Sequence, residues 1–173
     1  MFYFDESKKY PKKTESRVKI RFQDCDPLQH LNNAKYFDYY FNARDDQVPK
    51  LYNVEMADIF KAYNAAWVVY NHQISYLRPA MIGEWVRIFS GLAWYNEDTI
   101  VVEYYMCDDQ KTHLKNIMWS VLKFINVKNG KRLQHTDEVV KFLKATCYES
   151  LDYHKTDFLQ RIVDVKNSFK TGK

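Results

Sequence analysis

Two periods alternate along this chain, and they divide it into elements. Val18, Ile20 and Phe22 alternate with Lys19, Arg21 and Gln23, the period of a half-buried strand. From Ala34 to about Val48 the spacing changes: Phe37, Tyr40, Phe41 and the alkyl stem of Arg44 recur as on one face of a helix. Pro49 ends that helix or begins its exit. A second short helix follows over 56–64, with Met56, Ile59, Phe60 and Tyr63 on one side. At Ala66 the period returns to two, predicting strands over 66–77, 85–95, 99–107 and 112–126. The first of these carries Val68, Tyr70, His72, Ile74 and Tyr76 on one face. Turn signals separate the strands at Arg78-Pro79, Asn96-Glu97-Asp98 and Asp108-Asp109-Gln110, and Asn129-Gly130 closes the run. Long strands joined by short turns predict an antiparallel meander. Thr136, followed by Asp137 and Glu138, starts a short helix to about Thr146. Phe158, Ile162, Val165 and Phe169 form the stripe of a C-terminal one.

An aromatic helix followed by four long strands needs a curved sheet to bury its apolar face, which makes the fold α+β with one domain. Residues 1–15 read as a polar, partly ordered N-terminal arm, 16–150 as the body and 151–173 as a C-terminal helical extension. With 173 residues, 46% hydrophobic and 17% aromatic, the chain can bury a sizeable core. The charge excess is only +4, and much of it sits in end-of-chain lysines such as Lys8, Lys9, Lys12, Lys13, Lys166 and Lys170. That distribution argues against a nucleic-acid groove. No apolar run approaches the roughly 20 residues of a membrane span, and no signal peptide is visible, so the expectation is a cytoplasmic protein without a membrane partner. Cys25, Cys107 and Cys147 are odd in number and widely spaced, which suggests neither a disulfide framework nor a thiolate metal site.

The stretch Asp24 to Tyr36 changes the picture. Asp26, Gln29, His30, Asn32 and Asn33 gather a carboxylate, an imidazole and three amides between the first strand and the aromatic helix. Pro27 stops the strand and holds Asp26 extended, and Asn32 or Asn33 is a favourable N-cap. The polar cluster therefore stands beside a helix N-terminus, whose free N–H groups favour negative charge. Taken one by one, Asp26 is a turn former before Pro27 or a nucleophile or general base, His30 holds the loop or orients a substrate or a water, and Asn33 caps the helix or shares that orienting role.

The run Asp26-Pro-Leu-Gln-His30-Leu-Asn32-Asn33-Ala-Lys-Tyr36 resembles the signature of the 4-hydroxybenzoyl-CoA thioesterase-like branch of the hotdog-fold superfamily, in particular its long-chain acyl-CoA thioesterases. The resemblance implies a hotdog fold, a long central helix wrapped by a curved antiparallel sheet. It places Asp26 at the catalytic carboxylate and His30 with Asn33 on the polar pair opening the central helix. It also implies acyl-CoA as substrate, a homodimer or homotetramer with sites between subunits, and Gln29, Asn32, Tyr36 and Arg78 as substrate-binding positions. Arg78 matches a recurring strand-end position and can reach a coenzyme A phosphate or pair with Glu84. One departure concerns the related plant acyl-carrier-protein thioesterases, which carry an Asn two residues after the Asp where this chain has Leu28.

Other chemistries fit the stretch less well. Asp24 and Asp26 disfavour a Cys25 thiolate by like-charge repulsion. A calcium loop wants a ligand at Leu28 and a glycine at Gln29, and zinc wants a third strong ligand, so no metal is expected. No cofactor is required either, coenzyme A being part of the substrate. Two rivals remain: an acyl-carrier-protein thioesterase, and a hotdog protein that binds acyl-CoA without hydrolysing it. Tyr36, Phe37, Tyr40, Phe41, Trp67 and Tyr76 can line an acyl tunnel or simply pack the core. His72, His113, His135 and His154 read as structural or surface residues.

Overall fold

Strand pairing, more than the strands themselves, decides where the site lies. In the computed structural model, which describes residues 2 and 4–171, the elements are β1 (Lys13–Lys19), α1 (Lys35–Tyr52), α2 (Met56–Tyr63), β2 (Ala65–Tyr76), β3 (Trp85–Tyr95), β4 (Thr99–Asp108), β5 (Leu114–Asn126), α3 (Asp137–Thr146) and α4 (Phe158–Thr171). Met1 and Tyr3 of the N-terminal arm, and Gly172 and Lys173 of the C-terminal extension, lie outside the described residues. The five strands form one curved antiparallel sheet in the order β1-β3-β4-β5-β2. The meander holds only for β3, β4 and β5. β2 pairs with β5 rather than β3, so residues 77–84 form a crossover. Local alternation fixes which residues extend, while the partner of an extended strand is chosen by global packing.

The sheet buries both faces. Along β4, Ile100, Val102, Tyr104 and Met106 pack with Tyr36, Tyr40, Ala43 and Val48 of α1. The intervening Val101, Tyr105 and Cys107 pack with Phe158, Ile162 and Val165 of α4, the stripe predicted from sequence. Glu103 shares this second face and is fully buried. No helix among the described residues is long and apolar enough to cross a membrane.

Several expectations shift in detail. β1 begins at Lys13 and ends at Lys19, and the chain then turns through a 3-10 segment, Phe22–Asp24, that leaves Phe22 81% exposed. The turn is held by the Arg21 N–H, which donates to the Tyr39 hydroxyl at 3.0 Å. Phe2 and Phe4, within the stretch read as a polar arm, are buried against Phe142 of α3. Pro49 does not end α1, which continues to Tyr52. Proline removes only its own N–H in a final turn, and Tyr52 anchors that turn by burial and by a 3.0 Å bond to the Pro11 carbonyl. Asn53, left-handed, closes the helix with its N–H on the Pro49 carbonyl. The buried face of α1 is Tyr36, Tyr39, Tyr40, Ala43, Val48 and Tyr52, rotated from the stripe read in the sequence, so that Phe41 is partly exposed and Phe37 half-buried. Both rings instead lie against His72 of β2, with centroids at 5.1 and 5.9 Å.

Candidate active site

The polar stretch folds into a closed loop whose backbone is almost fully committed. Cys25 bridges Leu31, and His30 bridges Met81 of the β2–β3 crossover. The Asp26 N–H donates to the His30 carbonyl at 2.8 Å and the Gln29 N–H to the Asp26 carbonyl at 2.9 Å. Gln29 closes the turn at φ 63°, a left-handed conformation. The crossover supports the loop through Leu31 N–H on the Ala80 carbonyl at 2.8 Å and Ile82 N–H on the Gln29 carbonyl at 3.0 Å. Asn32 then leads into α1, its Oδ1 accepting from the Ala34 N–H at 3.0 Å and its carbonyl from the Lys35 N–H at 2.8 Å. Neither Asn32 nor Asn33 is the N-cap the sequence predicted: that position is Ala34, without a side-chain cap, because the Asn32 amide is spent on closing the turn just ahead of the helix.

Asp26 is central to this loop. Its Oδ1 accepts from the Leu28 N–H at 2.9 Å and the His30 N–H at 3.1 Å. Its Oδ2 holds no partner among the described residues. One oxygen therefore positions the carboxylate and the other is left for chemistry. His30 is half-buried next to it, and its imidazole makes no hydrogen bond among the described residues. The structure brings Asp26 and His30 together through the backbone. Gln29, Asn32 and Asn33 stand exposed on the same loop, and the Asn33 carbonyl accepts from the Tyr76 hydroxyl at 3.1 Å. Tyr36 is buried beneath the loop, edge-on to Tyr76, and burial raises its phenol pKa. The first-turn N–H groups of α1 have no carbonyl four residues back within the helix.

Arg78 is exposed at the end of β2 and does not pair with Glu84. Glu84 bonds instead to Lys115 at 2.8 Å and to the Met81 N–H, leaving the Arg78 guanidinium without an ion pair among the described residues. The Cys25 thiol is pushed up by burial and then by Asp24 and Asp26, and it donates to the Arg21 carbonyl, so it is a poor nucleophile. Asp24 is occupied by the Tyr39 hydroxyl at 2.9 Å. Among the described residues no three His, Cys, Asp or Glu side chains converge as a metal site requires. The remaining histidines have structural partners: His72 meets the Ser120 hydroxyl, and His135 accepts from Trp67 Nε1 and bonds the Asn96 carbonyl through Nδ1, which makes it neutral and Nδ1-protonated.

Sequence reasoning missed a cavity behind α1. It measures about 650 Å³ and lies between the C-terminal half of α1, α2, α3 and the α1-facing side of the sheet. Of the aromatics proposed for a tunnel, Phe41 and Trp67 line it. Tyr40 does not, being fully buried and bonded through its hydroxyl to Asn116 Oδ1 at 2.6 Å. Arg44 reaches the lining, and the only signal in the sequence was its place on the helix stripe.

Comparison with known proteins agrees with this architecture. Over 85 residues the chain is 35% identical to the long-chain acyl-CoA thioesterase FadM of Escherichia coli K12, a match that spans 47% of this chain and 60% of that enzyme. Its fold superposes on YbaW of Escherichia coli, described as a probable thioesterase, with a TM-score of 0.68 at 26% identity, covering 76% of this chain and 97% of the other. It superposes as well on a DHNA-CoA thioesterase of Staphylococcus aureus, with a TM-score of 0.67 at 17% identity over 93% and 95% of the two chains. The family model of the thioesterase-like superfamily matches residues 20–165, from the end of β1 through the carboxylate loop and the whole sheet into α4, and to that superfamily this chain belongs.

Proposed function

We propose that the chain hydrolyses acyl-CoA thioesters, adding water across the acyl carbon–sulfur bond to release a free acid and coenzyme A. The observation that carries this reading is the Asp26 carboxylate, held through Oδ1 by two backbone N–H groups with Oδ2 free, at the entrance to α1. Oδ2 attacks the thioester carbonyl or takes a proton from the attacking water. First-turn N–H groups of an α1 helix supply donors for the carbonyl oxygen. His30, next to Asp26, and Asn33, exposed on the same loop, orient the thioester or the water, and Gln29 and Asn32 contact substrate from that loop. Tyr36 acts from below, by packing. Arg78, free of an acidic partner, suits a coenzyme A phosphate. No cofactor enters this scheme. The relative FadM, named a long-chain acyl-CoA thioesterase, supports the substrate class.

The active form in this reading is a homodimer or homotetramer. β2 is an edge strand that leaves Val68, Val69 and Tyr70 exposed, and such an edge invites pairing with a second copy. The test is thiol release from short, medium, long and aromatic acyl-CoAs, beside the matching acyl-carrier-protein thioesters, for the wild type and Asp26→Asn. Turnover of the CoA series that falls by about 10²-fold or more in the variant is expected. Equal turnover by Asp26→Asn moves the chemistry off this loop, and activity confined to the carrier-protein series replaces coenzyme A as the carrier.

A further inference from the structure

The cavity behind α1 is apolar over most of its wall, through Val48, Ile59, Leu92, Val102, Leu122 and Phe142. Among the polar residues of its wall are Arg44 and Tyr104; the Thr146 hydroxyl there is already spent on the Phe142 carbonyl. Arg44 is half-buried, and its one hydrogen bond among the described residues runs from Nη1 to the Ser90 hydroxyl at 3.1 Å. A guanidinium carries five N–H donors, and among the described residues no carboxylate lies within ion-pairing distance of this one. Tyr104 also lines the cavity. It is buried, yet its hydroxyl makes no hydrogen bond among the described residues, and its phenol is raised by burial against the opposing charge of Arg44. Asp45 and Glu55 belong to the lining as well, but both are exposed residues of its rim.

A sheltered cation with one neutral partner is costly unless an anion arrives with the ligand. The acidic rim disfavours the phosphates of coenzyme A at this mouth, so the part of the substrate that belongs inside is the acyl chain. We infer that the cavity takes an acyl chain whose far end carries a carboxylate, and that Arg44, assisted by the Tyr104 hydroxyl, recognises it. This rests on the reading of the Asp26 loop as the thioester site. From Tyr36 at the start of α1 to Arg44 the helix advances about 12 Å, so a chain reaching from one to the other must have at least that length. A methyl-ended chain fills the same space but leaves the guanidinium without an anion.

The experiment separates this inference from the catalytic reading by measuring binding without turnover. S-alkyl-CoA thioethers of matched length, ending in methyl or in carboxylate, are titrated calorimetrically into the wild type, Arg44→Met and Arg44→Lys. The wild type is expected to prefer the carboxylate-ended ligand by about tenfold or more, as a charge-assisted bond supplies. Arg44→Met is expected to lose or reverse the preference, and Arg44→Lys to keep part of it. Equal binding of the two ligands, binding of neither, or a preference that survives Arg44→Met overturns the inference. Should Arg44→Met fail to fold, a wild-type length series decides: preference peaking at one length supports the inference, and a flat profile overturns it. Thiol release from the matching thioesters is scored separately. Carboxylate preference without turnover sinks the thioesterase reading alone, whereas turnover without preference sinks the inference alone.

Discussion

Removing one partner of the ion pair under α4 should cost this protein far more than breaking a surface pair. Glu103 of β4 is fully buried on the sheet face that α4 covers. Arg161 meets it with both arms, Nε to Oε2 at 2.8 Å and Nη2 to Oε1 at 2.9 Å, while Trp119 Nε1 donates to Oε2 at 2.9 Å. Burial pulls the Arg161 pKa down, and the hydrogen bonds and charge of Glu103 more than restore it. Arg161→Met keeps most of the apolar stem but strands a buried carboxylate with one neutral donor, an expected loss of about 3–5 kcal/mol. An exposed pair would lose about 0–1 kcal/mol. Glu103→Gln added to Arg161→Met removes the stranded charge while retaining an oxygen for Trp119, and most of the loss should return. Urea unfolding followed by tryptophan fluorescence gives the midpoints, compared at unchanged slope. A loss below about 1 kcal/mol for Arg161→Met, or no recovery in the double variant, would refute the claim that α4 is seated by a desolvated pair.

Three further outcomes follow from the same geometry. Asp26→Ala removes both loop bonds that Asp26→Asn can keep through Oδ1, so it should be less stable than the Asn variant by about 1–2 kcal/mol in thermal unfolding, and equal stabilities would mean that the turn does not depend on them. Tyr40→Phe leaves the buried Asn116 side chain without its remaining partner, because Nδ2 already has none, and should cost about 1–3 kcal/mol by urea unfolding. Burial opposes ionisation of Asp108, but bonds from Thr112 and His113 outweigh it and hold its pKa at about 2 against the ordinary 3.8. A depressed carboxylate stabilises the fold above its unfolded value and loses that contribution as pH falls through the folded one. The melting-temperature gap between wild type and Asp108→Asn should therefore be full near neutral pH and shrink as pH drops from about 4 toward 2, whereas a gap independent of pH would contradict the assignment.

The pattern of the chain by itself determined the kinds of element and the position of the carboxylate loop between the first strand and α1. β3 falls on 85–95 and α3 on 137–146 as the periods predict, because alternation, helical spacing and turn residues act over a few neighbours. The carboxylate loop was legible for the same reason: Asp26, His30 and the bonds between them lie within five consecutive residues, although the crossover that supports the loop does not. What only the tertiary structure decided is which surfaces meet. The pairing of β2 with β5, the rotation of α1 that buries Tyr36 and Tyr39, and the release of Arg78 from Glu84 all depend on contacts between segments far apart in sequence. The same holds for Glu103 and Arg161, 58 residues apart, and for Arg44 facing Ser90 across 46. A polar residue on a helix stripe looks alike whether it ends in water, in a salt bridge or in a cavity, since the cost of its burial is set by the partners that folding brings to it.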